Sequence, residues 1–194
     1  MKIKTAILIS GRGSNMQALI GAAKAPDYPA EIVLVISNKP DALGLEFAKK
    51  NHIKTAVINH KNFENREDFD REMSKIIDEN NCKIICLAGF MRLLSSWFTK
   101  KYQGRLINIH PSLLPDFKGA NAVEDALKAG AKISGCTTHF VVAEMDAGEI
   151  IMQERVRVLE GDTKESLAKR ILEKEHLIYP KSLALVCENF LKHQ

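Results

Sequence analysis

Apolar positions come in two alternating textures along the first hundred residues. Runs that are apolar nearly throughout cover residues 3–10, 31–37 (Glu-Ile-Val-Leu-Val-Ile-Ser), 53–58, 83–88 and 105–109. Between them, residues 15–24, 41–51 and 65–80 place apolar side chains at helical spacing, as with Phe69, Met73, Ile76 and Ile77. A strand without polar alternation is covered on both faces. The pattern therefore predicts a mostly parallel sheet with helices on both sides. The right-handed crossover rule leaves few topologies for it. Residues 134–142 and 150–158 read as two more strands, joined by a long loop into a hairpin antiparallel to the rest. Residues 163–192 read as a long C-terminal helix with Asp162 or Thr163 as its N-cap. Pro180 falls inside that helix and is expected to break or kink it. No repeat, low-complexity tract or linker interrupts the chain, so a single α/β domain over residues 1–194 is expected.

Composition changes this picture little. The chain is 45% hydrophobic and 27% charged, ordinary for a globular domain with a usable core. Twenty-eight Lys and Arg against 24 Asp and Glu leave a net charge of +4. Lys49-Lys50 and Lys100-Lys101 are short pairs, not a basic stripe, so the surplus biases the surface toward anionic ligands without asking for nucleic acid. The N-terminal apolar stretch is too short for a signal peptide, and no run approaches a membrane span. Cys82, Cys86, Cys136 and Cys187 lack zinc-ligand spacing. Reduced, buried thiols in a cytoplasmic protein are the expectation, with no metal and no membrane partner.

In parallel sheets, ligands bind beyond the carboxyl ends of the strands. The loops at 11–15, 89–95 and 108–119 are therefore the candidates. Gly11-Arg12-Gly13-Ser14-Asn15 joins a strand to a helix. Its glycines permit close backbone approach, and a helix start favours phosphate. Position 16 is Met16 where a dinucleotide fingerprint needs glycine, and no Gly-Lys-Ser/Thr follows, so a phosphate fits better than a nucleotide cofactor. A tight turn without a ligand is the alternative. Asn108 and His110 end the fifth strand and point to one side of it. An amide that donates to an oxyanion and an imidazole that titrates near neutrality suit acyl chemistry. Pro111 and Pro115 stiffen the exit. The loop Glu144-Met145-Asp146-Ala147-Gly148 carries a carboxylate that would hold His110 charged if it reached it, which spacing alone does not establish. Ala88-Gly89-Phe90-Met91-Arg92-Leu93-Leu94-Ser95 clusters large apolar residues around one Arg, either to wall a pocket for a flat ligand or to start the next helix. No Gly-x-Ser-x-Gly motif suggests an acyl-enzyme.

These motifs, together with Glu175-His176-x-x-Tyr-Pro180, occur in one order along the whole chain. In that order the sequence closely resembles the folate-dependent phosphoribosylglycinamide formyltransferase family. The resemblance implies a Rossmann-like sheet and small-molecule substrates, with 10-formyltetrahydrofolate as co-substrate and the ribotide amine as acceptor. It implies that Gly13, Ser14 and Asn15 hold the ribotide phosphate and that Glu175 contacts the ribotide. It implies that Arg66, Met91, Arg92, Leu93, Leu94 and Asn108 face the folate, with the main chain of 142–146. Asn108, His110 and Asp146 match the family's catalytic trio, and monomer and homodimer both stay open. Asn121 is a departure, because relatives place histidines in that stretch. Methionyl-tRNA formyltransferase shares the 108–119 motif but carries an extra C-terminal domain, for which 194 residues leave no room. Formyltetrahydrofolate deformylase shares Asn-x-His-Pro and an Asp, uses water as acceptor, and has an N-terminal regulatory domain. A non-catalytic folate- or phosphate-binding protein is the reading from another class.

Overall fold

In this computed structural model, which describes residues 2–192, strands and helices alternate as β1 (Ile3–Ile9), α1 (Ser14–Ala23), β2 (Ala30–Ser37), α2 (Gly44–Lys50), β3 (Lys54–Val57), α3 (Arg66–Glu79), β4 (Ile84–Leu87), α4 (Ser96–Lys101) and β5 (Leu106–His110). Then come α5 (Ala122–Lys128), β6 (Ile133–Phe140), β7 (Ile150–Arg157) and α6 (Lys164–Lys192). The ends of the 1–194 expectation, Met1 and residues 193–194, lie outside the described residues. The strands form one sheet in the order β3-β2-β1-β4-β5-β6-β7, parallel from β3 to β5, with β6 and β7 added antiparallel. The expected parallel sheet and hairpin are thus both present.

Alternation along β1 shows why the sheet is covered on both faces. Ile3, Ile7 and Ile9 join a core with Met16 and Leu19 of α1, Leu45 of α2 and Leu167 and Ile171 of α6. Ala6 and Leu8, pointing the other way, join a second core with Phe69 and Met73 of α3 and Phe98 of α4. The short α4 and α5, and a single 3-10 turn at His60–Asn62, were not in the sequence pattern. Helices of six and seven residues complete fewer than two turns, too few for periodicity to declare them.

Helix α6 meets the expected cap and is not broken at its proline. Thr163 caps it as expected: its hydroxyl accepts from the Ser166 N–H at 3.2 Å, while the Ser166 hydroxyl accepts from the Thr163 N–H at 3.0 Å. Pro180 does not end the helix, which runs 29 residues through it. Packing offsets the missing backbone donor. The flanking Tyr179 and Leu183 are fully buried, and the Tyr179 hydroxyl lies 2.9 and 3.1 Å from the carbonyls of Leu87 and Ile107. The Tyr28 hydroxyl donates to the Pro180 carbonyl at 2.7 Å.

The chain turns back on itself after β3 and crosses to the far side of β1, so the carboxyl ends of β1 and β4 flank the point where strand order reverses. Ser10 ties the loops there together. Its N–H donates to the Gly89 carbonyl at 3.1 Å, its hydroxyl donates to Asn38 Oδ1 at 2.6 Å, and Ser10 Oγ accepts from the Met91 N–H at 2.8 Å.

Candidate active site

The loop after β1 enters α1 through Gly13, whose φ of 68° would strain any residue with a Cβ. Gly13 is the N-cap, and no side chain caps the helix. The N–H groups at the start of α1 therefore remain available to an anion, beside the half-buried Ser14. Asn15 turns inward, and its Nδ2 donates to Glu175 Oε2 at 2.7 Å, joining the loop to α6. Asn15 Oδ1 is buried without a partner. Burial pushes the Glu175 carboxyl above its ordinary value, and the bond from Asn15 opposes that shift.

That shift has a consequence for stability. A carboxyl whose folded pKa is raised favours folding while protonated and loses that contribution as pH rises through the folded value. Ionised Glu175 therefore costs stability at neutral pH. Glu175→Gln, whose amide oxygen can still accept from Asn15, is expected to raise Tm at pH 7 by about 2–4 °C, the shift of about 1 kcal/mol in a chain of this size. The gain should shrink toward pH 4. Thermal denaturation at both pH values checks this, and equal gains at both would remove the assigned cause.

At the end of β5, Asn108 and His110 share one side of the strand. The antiparallel register sets His139 of β6 opposite Asn108, and Thr137 opposite His110. Phe117 and Asp146 both take left-handed backbone, with φ of 52° and 51°, and the loops that carry them converge on the imidazole of His110. His110 Nε2–H donates to the Phe117 carbonyl at 2.9 Å. Its Nδ1 lies 3.5 Å from Asp146 Oδ2, with the two side chains only 6% and 10% exposed. Asp146 Oδ2 also accepts from the Gly119 N–H at 2.8 Å, and Oδ1 lies 3.7 Å from His139 Nε2. The carboxylate thus stands between two imidazoles, largely out of water, where each charge interaction is stronger than on the surface. The Asp146 loop approaches β6 so closely that a Cβ on Gly148 would fall 1.8 Å from the Phe140 carbonyl oxygen.

The loop after β4 has a different character. Met91 and Leu93 are 71% and 54% exposed, Arg92 is exposed, and Leu94 packs on the second core. Its far end is held by Asp70 of α3, whose Oδ2 accepts from the Ser95 N–H at 2.5 Å. Arg66 opens the same helix and is exposed. Val142 and Met145 are exposed in the loop after β6. Apolar side chains offered to solvent on the same sheet edge as exposed arginines suit a flat, partly anionic ligand. Asn121 is exposed just before α5, with no side-chain cap to that helix.

The formyl transferase family profile matches residues 3–183. The chain belongs to the formyl transferase family. Among solved structures, this formyl transferase is 40% identical to glycinamide ribonucleotide transformylase 1 from Symbiobacterium toebii, with a TM-score of 0.95 over 97% of this chain and 89% of that one. It is 48% identical to phosphoribosylglycinamide formyltransferase from Brucella melitensis, with a TM-score of 0.92 over 96% of each chain. The Escherichia coli (strain K12) phosphoribosylglycinamide formyltransferase is 42% identical over 96% of this chain and 88% of its own length. The Gallus gallus trifunctional purine biosynthetic protein adenosine-3 is 52% identical over 95% of this chain, which spans only 18% of that relative's length.

Within this formyl transferase, contacts join Asn15 to Glu175, His110 to Asp146, and the β1 loop to the β4 loop through Ser10. Arg66, Arg92 and the exposed tip of the β4 loop reach the same edge of the sheet by topology. His139 was missed by sequence reasoning. It is 2% exposed and sits against both Asn108 and Asp146, yet nothing local marks it among the residues of a buried strand. Among the described residues, no group of three or more His, Cys, Asp or Glu is placed to hold a metal ion. No described helix is long and apolar enough to cross a membrane.

Proposed function

We propose that this formyl transferase moves the formyl group of 10-formyltetrahydrofolate to the amine of 5'-phosphoribosylglycinamide, giving the formylated ribotide and tetrahydrofolate in de novo purine (IMP) synthesis. The observation that carries the reading is the placement of Asn108, His110 and Asp146 at the sheet edge that also holds the uncapped start of α1. Near-complete coverage of relatives named for this reaction supports it.

In the proposed reaction, the ribotide phosphate takes the N–H groups of Gly13, Ser14 and Asn15, with Glu175 beneath them. The folate lies along Met91 to Leu94, with Arg66 and the main chain of 142–146 beside it. The amine attacks the formyl carbon directly. Negative charge gathers on the formyl oxygen and is met by an Asn108 N–H and by the positive charge of protonated His110, whose ring N–H groups face the Phe117 carbonyl and Asp146. The C–N bond to folate then breaks, and the proton lost by the amine passes to the folate nitrogen with Asp146 assisting through water. Asp146, close to His110 Nδ1, is placed to accept from the imidazolium. Residues 1–194 act as one formyltransferase domain in this reading. The free, buried cysteines, with Cys82, Cys136 and Cys187 pushed up to about 12 by burial, support a reducing, cytoplasmic setting.

An absorbance assay of purified protein with 10-formyltetrahydrofolate, with and without the ribotide, tests this. Loss of the formyl group only when the ribotide is present is the expected result. Release of formate without ribotide would replace the transferase with a deformylase. No turnover under either condition would leave a binding protein.

A further inference from the structure

We infer that His139 is a positioning residue that fixes the amide of Asn108 so that its second N–H faces the developing oxyanion; the inference rests on the reaction proposed above. His139 Nδ1 lies 2.8 Å from the Phe140 carbonyl, which only accepts, so Nδ1 carries the proton. In the neutral ring, Nε2 is then a bare acceptor. Asn108 Nδ2 lies 3.2 Å from it and can only donate. The pairing therefore selects one of the two amide orientations. One Asn108 N–H is consumed by His139, and the other is left for the substrate. A protonated ring would present Nε2–H to the NH2 group, donor against donor, and the amide would have to turn its oxygen toward His139. That rotation would put a carbonyl dipole, not an N–H, toward the forming negative charge.

The surroundings keep the ring in the neutral state this requires. His139 is 2% exposed, and burial is the main cause that lowers its pKa. His110 on β5 pushes the same way, while the Phe140 carbonyl and Asp146 in the loop after β6 oppose it. Asp146 Oδ1, at 3.7 Å from Nε2, stands beyond hydrogen-bond range, so Asn108 is the partner that Nε2 serves.

Two substitutions and a double-mutant cycle test this role. His139→Leu removes the acceptor at similar volume. It is expected to lower kcat about tenfold to a hundredfold, less than the about hundredfold to thousandfold typical of removing an oxyanion donor outright. KM for both substrates should stay within about threefold, since the contact that Asn108 makes to the oxyanion forms only in the transition state. His139→Gln, which can offer an amide oxygen where Nε2 stood, should recover most of that loss. In an Asn108→Ala background, His139→Leu should cost little more, because a residue acting only through Asn108 has nothing left to act on. Additive losses, or unchanged kcat in the folded His139→Leu protein, would overturn the inference. If His139→Leu does not fold, His139→Gln decides alone: a kcat as low as that of Asn108→Ala would overturn it. Absence of ribotide-dependent turnover in the unaltered protein would instead refute the proposed reaction itself.

Discussion

Asp146→Asn is expected to lower kcat by about a hundredfold or more, within the range for losing a group that handles protons in the transition state, while the fold survives. The substitution is nearly isosteric. Asparagine tolerates the left-handed backbone at this position, where φ is 51°. Its amide oxygen can still accept from the Gly119 N–H, the contact that now ends on Oδ2. What disappears is the charge facing His110 Nδ1 at 3.5 Å and His139 Nε2 at 3.7 Å. Steady-state rates across pH, with circular dichroism on the same samples, check both halves. A near-normal kcat, or an unchanged pH–rate profile, would remove Asp146 from its role.

His110→Ala should be more severe, about a thousandfold in kcat, since in the proposed reaction it deletes the positive charge that meets the oxyanion and the group that Asp146 pairs with. It also leaves the Phe117 carbonyl without the N–H it now accepts at 2.9 Å. Part of the loss could then come from a loop that has shifted. His110→Gln separates the two effects. Its side-chain amide can reach toward the Phe117 carbonyl but cannot take the positive charge of the imidazolium. Comparable losses in both variants would assign the defect to chemistry. Recovery of most activity in His110→Gln would assign it to loop placement and overturn the role of the imidazolium charge.

The parts of the fold legible in the sequence were those whose signal is local. β1, β2 and β4 are buried on both faces, so their sequences are apolar without alternation and could be recognised alone. α3 is long and shows its apolar stripe. By the same logic α4 and α5 were silent. Pro180 does not break α6, since its penalty is a local rule and the long-range burial of Tyr179 against β4 and β5 outweighs it. In the candidate site, Asn108 and His110 could be paired by strand alternation. Their link to Asp146 spans two loops and only the folded chain supplies it. His139 needed more still: the register between β5 and β6, which fixes the residue opposite Asn108, is written in no single segment.

Helix α6 places Glu175 and Tyr179 one turn apart, the first against Asn15 at the start of α1 and the second among the central strands. This helix follows all seven strands along the chain. During synthesis, the face packed by α1 and α2 therefore leaves the ribosome only partly covered, and Glu175, the partner of Asn15, arrives with the segment that completes that cover. One docking event thus both buries the apolar stripe of α6 and supplies the carboxylate that fixes Asn15 at the start of α1.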